Sequence, residues 1–300
     1  MAHDPIDPAT RVGAVHLTVA DLPRAVAFYR DRLGMALLSQ EGPVARLGAA
    51  AGPGAAVGPE LLVLTESPGA RHLAGRTGLY HFALLTPSRA DLARSVHLLA
   101  AAGQRFQGFS DHLVSESAYL ADPEGNGIEI YRDRPREEWP RENGGYVLGL
   151  EPLDLEGLLE EADRPASVAE GAPLAAGTVM GHVHLRVADL SSAEAFYVEA
   201  LGLDVTARYD RSALFVSAGG YHHHVGLNIW GGAGAPPPPS DGAGLRHFEL
   251  VLPHARARDR VLERLTRAAV ALEETDSGVL ARDPSRNGVM LTVGTNSPAR

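Results

Sequence analysis

Not one of the 300 residues is cysteine. That excludes disulfides, thiolate metal sites and a cysteine nucleophile, so any metal must be held by His, Asp or Glu. Positive charge is also scarce: 27 Lys and Arg stand against 37 Asp and Glu, for a net charge of −10 and a pI near 5.7. Nucleic acid and anionic membrane surfaces, which select basic patches, are therefore not expected partners. No hydrophobic run approaches a membrane span, and MAHDPIDPAT lacks the apolar core of a secretory signal. Cytoplasmic residence is the resulting expectation.

What remains is the composition of an ordinary globular protein, 45% hydrophobic and 21% charged, long enough for two domains. Histidine is plentiful: there are 13, six of them within Gly181–Leu250. The chain also repeats itself. VHLTVADLPRAVAFYRDRLG (Val15–Gly34) and VHLRVADLSSAEAFYVEALG (Val183–Gly202) are identical at 13 of 20 positions. Each reads as a strand followed by a capped helix. Val15, Leu17 and Val19 share one face, Asp21 and Pro23 suit the helix start, and Gly34 suits its end. Three shorter strands follow, which makes a βαβββ unit. A second unit begins at LYHFALL (Leu79–Leu85) and ends at Tyr131; a third runs from His182 to Trp230 and a fourth from Leu245 to Val293. The expected fold is α+β, with four βαβββ units in two tandem halves, each cup a curved mixed sheet with helices outside. The halves are residues 10–133 and 179–295, joined by a charged linker at 134–178. Thr295–Arg300 reads as a tail.

Chemistry concentrates in Ser110–Tyr131, SDHLVSESAYLADPEGNGIEIY. Asp122–Gly127 clusters turn formers, and Ile128-Glu129-Ile130-Tyr131 then alternates like a strand, which puts Glu129 on the face opposite the isoleucines. A carboxylate there must face water or meet a cation. With the units in register, the first strands offer His16, His81, His184 and His247, while the last strand offers Glu129 in unit two and Met290 in unit four. Two imidazoles and one carboxylate on three strands match the facial triad that holds Fe(II) or Mn(II) with open positions. His81 and Glu129 are two of the expected ligands, and the third is His184 or His16 according to how the units pair.

The motifs VHLTVADL…AFY…LG and DPEGNGIEIY resemble the vicinal oxygen chelate superfamily of glyoxalases, bleomycin-resistance proteins and extradiol dioxygenases. His222-His223-His224-Val-Gly-Leu-Asn228 and Asp111-His112-Leu-Val-Ser-Glu-Ser-Ala-Tyr119 resemble its catechol 2,3-dioxygenase-like, ring-cleaving members. The resemblance implies an iron-dependent oxygenase acting on a catechol- or hydroquinone-type aromatic with O2. It implies His224 as acid/base, and His112 and Tyr119 as substrate-lining residues; His222 is expected on the same face as His224. His182, two residues before His184, is read as an outer hydrogen-bonding partner, and His223 as pointing away from the site. Each cup closes from two units, and only the pairing of three with two fills every role: His184, His224, His81, His112, Tyr119 and Glu129. The contiguous alternative stays open, as does a homo-oligomer. Two other functions also fit the residues. One is a glyoxalase- or isomerase-type lyase; the other is a metal-free protein that sequesters a small molecule.

Overall fold

The computed structural model describes residues 4–52, 57–142, 144–162 and 173–294; the expected tail at 295–300 lies outside them. Unit one comprises β1 (Arg11–Val19), α1 (Leu22–Ala27), β2 (Ala36–Glu41), β3 (Val44–Gly48) and β4 (Glu60–Glu66). Unit two comprises β5 (Gly78–Leu85), α2 (Arg89–Ala101), β6 (Gly108–Asp111), β7 (Ser115–Ala121) and β8 (Gly127–Asp133). The linker carries β9 (Arg141–Glu142), β10 (Gly145–Tyr146) and α3 (Leu155–Glu160). Unit three is β11 (Val179–Arg186), α4 (Leu190–Glu194), β12 (Asp204–Tyr209), β13 (Ala213–Ser217) and β14 (Val225–Asn228). Unit four is β15 (Gly244–Leu252), α5 (Ala255–Arg267), β16 (Leu272–Thr275), β17 (Gly278–Arg282) and β18 (Gly288–Val293). The α+β fold of four βαβββ units is thus the one expected.

Helix starts follow from the sequence. Asp21 accepts from the Arg24 N–H at 2.9 Å and Asp189 from Ser192 N–H at 2.8 Å, each satisfying an amide that has no partner within the helix. Both helices then widen into a π-turn, Phe28–Arg32 and Ala195–Ala200, and end at glycines with φ of 78° and 89° (Gly34 and Gly202).

The units pair by exchange. One eight-stranded sheet runs β16-β17-β18-β15-β1-β4-β3-β2 and joins units four and one; the other runs β12-β13-β14-β11-β5-β8-β7-β6 and joins units three and two. Each sheet is closed at its centre by two first strands lying antiparallel, β1 with β15 and β11 with β5. One continuous apolar core serves both sheets and includes Leu17, Tyr29, Phe82, Tyr197 and Phe248, all fully buried. The sheets are tied by equivalent bonds: Tyr29 Oη donates to Asp122 Oδ2 at 2.8 Å, and Tyr197 Oη to Asp283 Oδ2 at 3.1 Å. These aspartates head the two DP-x-x-NG turns, so the helix of one sheet's unit anchors the turn before the last strand of the other. Among the described residues no helix is long and apolar enough to cross a membrane.

Candidate metal centre and active-site cavity

Strand register decides which side chains meet. Across the second sheet, His182 on β11 lies opposite Ala83 on β5, Ala83 opposite Glu129 on β8, and Glu129 opposite Tyr119 on β7. His184, His81 and Gly127 form the neighbouring row. Ala83 is small, so His182 and Glu129 can meet above it while His81 reaches in from the side. Nε2 of His81 lies 2.9 Å from Glu129 Oε2, Nε2 of His182 lies 3.1 Å from the same oxygen, and the two imidazole nitrogens are 3.4 Å apart. Ser117 Oγ donates to the other carboxylate oxygen, Oε1, at 2.6 Å. All three ligand-type groups are buried, at 6%, 1% and 2% exposure for His81, His182 and Glu129.

Burial alone would raise the Glu129 carboxyl, but His182 and His81 outweigh it and hold the group well below the usual carboxylate range. Burial pushes His182 down to about 4 against the pull of Glu129. The cluster therefore sets an ionised carboxylate against two imidazoles whose Nε2 atoms point at one another. Such a carboxylate is costly to bury without a full positive partner. Two imidazoles and one carboxylate on one small volume are the donor set of a facial-triad divalent metal site. The residues fit the ion that the sequence motifs imply.

The structure thus gathers His81 and Glu129 as expected, but with His182 in the place assigned to His184. Alternation along β11 puts both histidines on one face and leaves their row open; the row is set by a register slip between Met180 and His182. His184 sits one row on, its ring 5.1 Å from that of His81 and near Tyr80, Trp230 and Phe215, with Nε2 unpartnered. One signal was available in the sequence: position 14, the counterpart of His182, is alanine. A residue absent from the repeat is the one the site needs.

A cavity of about 620 Å³ opens over the triad, lined at one end by Glu129, His81, His182, Tyr119, His112 and His223. His112 Nδ1–H donates to the Gly149 carbonyl at 2.7 Å, which leaves Nε2 to accept the Tyr119 hydroxyl at 2.6 Å. The linker segment bearing Gly149 is therefore a wall of the cavity, tied at Asp111 and His112 by backbone bonds of 2.9–3.0 Å. Burial, then Glu129, raises the Tyr119 phenol well above its usual value, so it stays protonated.

The three consecutive histidines fall differently from expectation. They precede β14 as a bend, so strand alternation does not govern them. His223, expected to point away, lines the cavity with its ring centred 4.1 Å from that of His182. His224, expected as acid/base, turns away and accepts the Ala218 N–H through Nδ1 at 3.1 Å. His222, fully buried behind them, places Nε2 2.9 Å from Asp133 Oδ1 and Nδ1 2.8 Å from His223 Nδ1. Since a carboxylate only accepts, a neutral His222 would give it the Nε2 proton and accept at Nδ1 from His223, an arrangement that leaves His223 Nε2 as an acceptor. Burial pushes His223 well below the ordinary histidine value.

In the first sheet the equivalent cup keeps His16 and His247 stacked at 4.0 Å, but Met290 stands where the ligand carboxylate would be. Glu249 turns instead to His16 Nε2 at 3.3 Å, and Glu60, close to both, is paired with Arg46 at 3.0 Å.

Residues 11–130 and 179–291 each match the family model described as Glyoxalase/Bleomycin resistance protein/Dioxygenase superfamily. The chain belongs to that superfamily. One relative within it, the Catechol-2,3-dioxygenase of Bacillus subtilis (strain 168), is 44% identical over 281 residues, which cover 92% of this chain and 94% of that one. Two solved structures share the superfamily fold with it. Glyoxalase I from Zea mays aligns at a TM-score of 0.55 and 19% identity, covering 94% of this chain and 92% of its own. The cppA protein from Streptococcus pneumoniae TIGR4 aligns at 0.53 and 13%, covering 97% and 100%.

Proposed function

We propose that the protein is a non-haem, metal-dependent extradiol dioxygenase of the cytoplasm that opens a catechol- or hydroquinone-type ring with O2. His81, His182 and Glu129 are the ligands of Fe(II), with Mn(II) as the alternative ion. The carrying observation is the buried pair of imidazoles converging with one carboxylate beneath a cavity of about 620 Å³. The name of the Bacillus subtilis relative supports the same reaction class.

When bound, the divalent ion supplies open coordination positions and lowers the pKa of a coordinated hydroxyl. The protein supplies the rest. His223 presents Nε2 as a proton acceptor, held in that tautomer by His222 and Asp133. Tyr119, backed by His112, offers a hydroxyl beside Glu129, where a diol oxygen would sit. The aromatic walls exclude water from the ring being opened.

Anaerobic loading with Fe(II), followed by oxygen uptake on a panel of catechols and hydroquinones, tests the reading. Uptake equal to the diol consumed, with ring opening in the product spectrum, is expected. No uptake on any member of the panel, or conversion of a hemithioacetal under nitrogen in its place, would overturn it.

A further inference from the structure

On the same face of β11, two residues apart each time, stand His182, His184 and Arg186. The register slip beside His184 falls at Tyr80 of β5 and leaves β11 regular, so the three side chains follow one another along the cavity floor. The first is at the triad. The second lies among Tyr80, Phe215 and Trp230, which form an aromatic middle section. The third is a guanidinium that lines the cavity's far end. Its Nη1 donates to the Leu79 carbonyl at 2.5 Å and its Cζ lies over the Tyr80 ring, 5.0 Å from the ring centre. Among the described residues no carboxylate pairs with it, and burial with no acid beside it lowers its pKa. The cavity therefore has a metal-binding end, an apolar aromatic waist and, at the opposite end, a half-buried cation with unused N–H donors.

An arginine held in place by a carbonyl and a ring face, with its remaining donors free, is built to receive a planar anion in paired hydrogen bonds. A few fixed polar groups at the ends of an apolar pocket are what orient a ligand within it. From this we infer that the substrate is a catechol bearing a carboxylate on the ring or on a short tether, with the diol at the triad and the carboxylate on Arg186. The inference rests on the dioxygenase reading for the diol and adds to it the charge and placement of the second group. It also gives the cavity a direction: the guanidinium fixes which ring edge faces His223.

The test compares two acids, 3,4-dihydroxyphenylacetate and 3-(2,3-dihydroxyphenyl)propanoate, with their methyl esters, which keep the diol and lose the charge. Binding is measured by titration calorimetry on the Mn(II)- or Fe(II)-loaded protein without oxygen, and turnover by oxygen uptake. At least one acid is expected to bind roughly 10- to 100-fold more tightly than its ester, the range of a charge-assisted hydrogen-bond pair. Arg186→Gln brings that ratio close to one, and Arg186→Lys, which keeps the charge without the fork, retains part of it. Equal affinity of acid and ester in the unaltered protein for both pairs overturns the inference, and so does a preference that survives Arg186→Gln. Failure of the reaction class reads out separately, as acids that bind in preference to esters while no diol is opened.

Discussion

Glu129 and His182 meet across Ala83, and that contact is why the proposed ligand is His182 and not His184. Removing His182 (His182→Ala) leaves one imidazole and the carboxylate, and is expected to weaken metal binding by more than about 100-fold, beyond what loss of an outer partner costs. His184→Ala leaves the triad whole and should keep its metal, although it opens the aromatic waist. Metal content after gel filtration separates the two. Asp133→Asn acts at a distance: an amide offers His222 a donor as readily as an acceptor, so the tautomer of His223 is no longer set. A fall of about 10- to 100-fold in kcat is expected, with KM little moved and the acidic side of the pH profile altered. A lost KM with intact kcat would contradict it. Glu129 stood out in the sequence because a carboxylate between isoleucines needs a partner. His182 did not, because alternation gives the face of a strand and not the row across it.

Two turns of the same design allow a comparison between elements. A Cβ at Gly127 would lie 2.1 Å from the Tyr80 carbonyl, and one at Gly288 2.5 Å from the Arg246 carbonyl. In each case the DP-x-x-NG turn delivers its last strand against the backbone just before a histidine, His81 or His247, at a spacing only glycine permits. Both Gly127→Ala and Gly288→Ala should destabilise by about 1–3 kcal/mol in urea unfolding, the usual cost of forcing extra atoms into a packed site. Only the first also pries β8 from β5, and so Glu129 from His81, and should lose metal as well. The repeat, the strand–helix–strand order and these turns were legible because each carries its own local signal of alternation, capping or turn residues. The bend holding His222, His223 and His224 was not. Its three side chains are aimed by Asp133, by Ala218 and by the ring of His182, contacts made by distant segments.

Over the whole molecule, exchange of units means that neither sequence half builds either sheet alone. The chain's two halves, produced separately, are each expected to lack the metal site, and mixing them should restore it; metal bound by the first half alone would argue otherwise. Exchange was also inferable, since units one and two together complete a triad but lack the histidine relay, and only units two and three fill every role. The wall contributed by the linker was not, because its backbone bonds to Asp111 and His112 leave no pattern in the sequence. Stability should be strongly pH-dependent in the metal-free protein. Burial pushes His224 and His247 to about 3 and His182 to about 4, from 6.5. A histidine kept neutral in the fold binds protons better once unfolded. Its contribution is thus complete above about pH 6.5 and is lost as the pH falls toward those values. The lowered carboxyl of Glu129 acts in the same direction further down. Each histidine costs about 1.4 kcal/mol per pH unit in that window. Against a total stability of about 5–15 kcal/mol, unfolding by acid should have its midpoint between about pH 3 and 5.5. Circular dichroism along a pH titration checks it.

A chain with no thiol has no covalent staple, yet His81 and His182 are 101 residues apart and face the same carboxylate. An ion shared between them closes that loop as a disulfide would, a constraint worth about 4–5 kcal/mol of unfolded-chain entropy in the simplest model. The difference lies in what undoes it. A reductant leaves this link intact and a chelator cuts it, so the supply of a metal, and not the redox state of the surroundings, would govern how long the folded protein lasts.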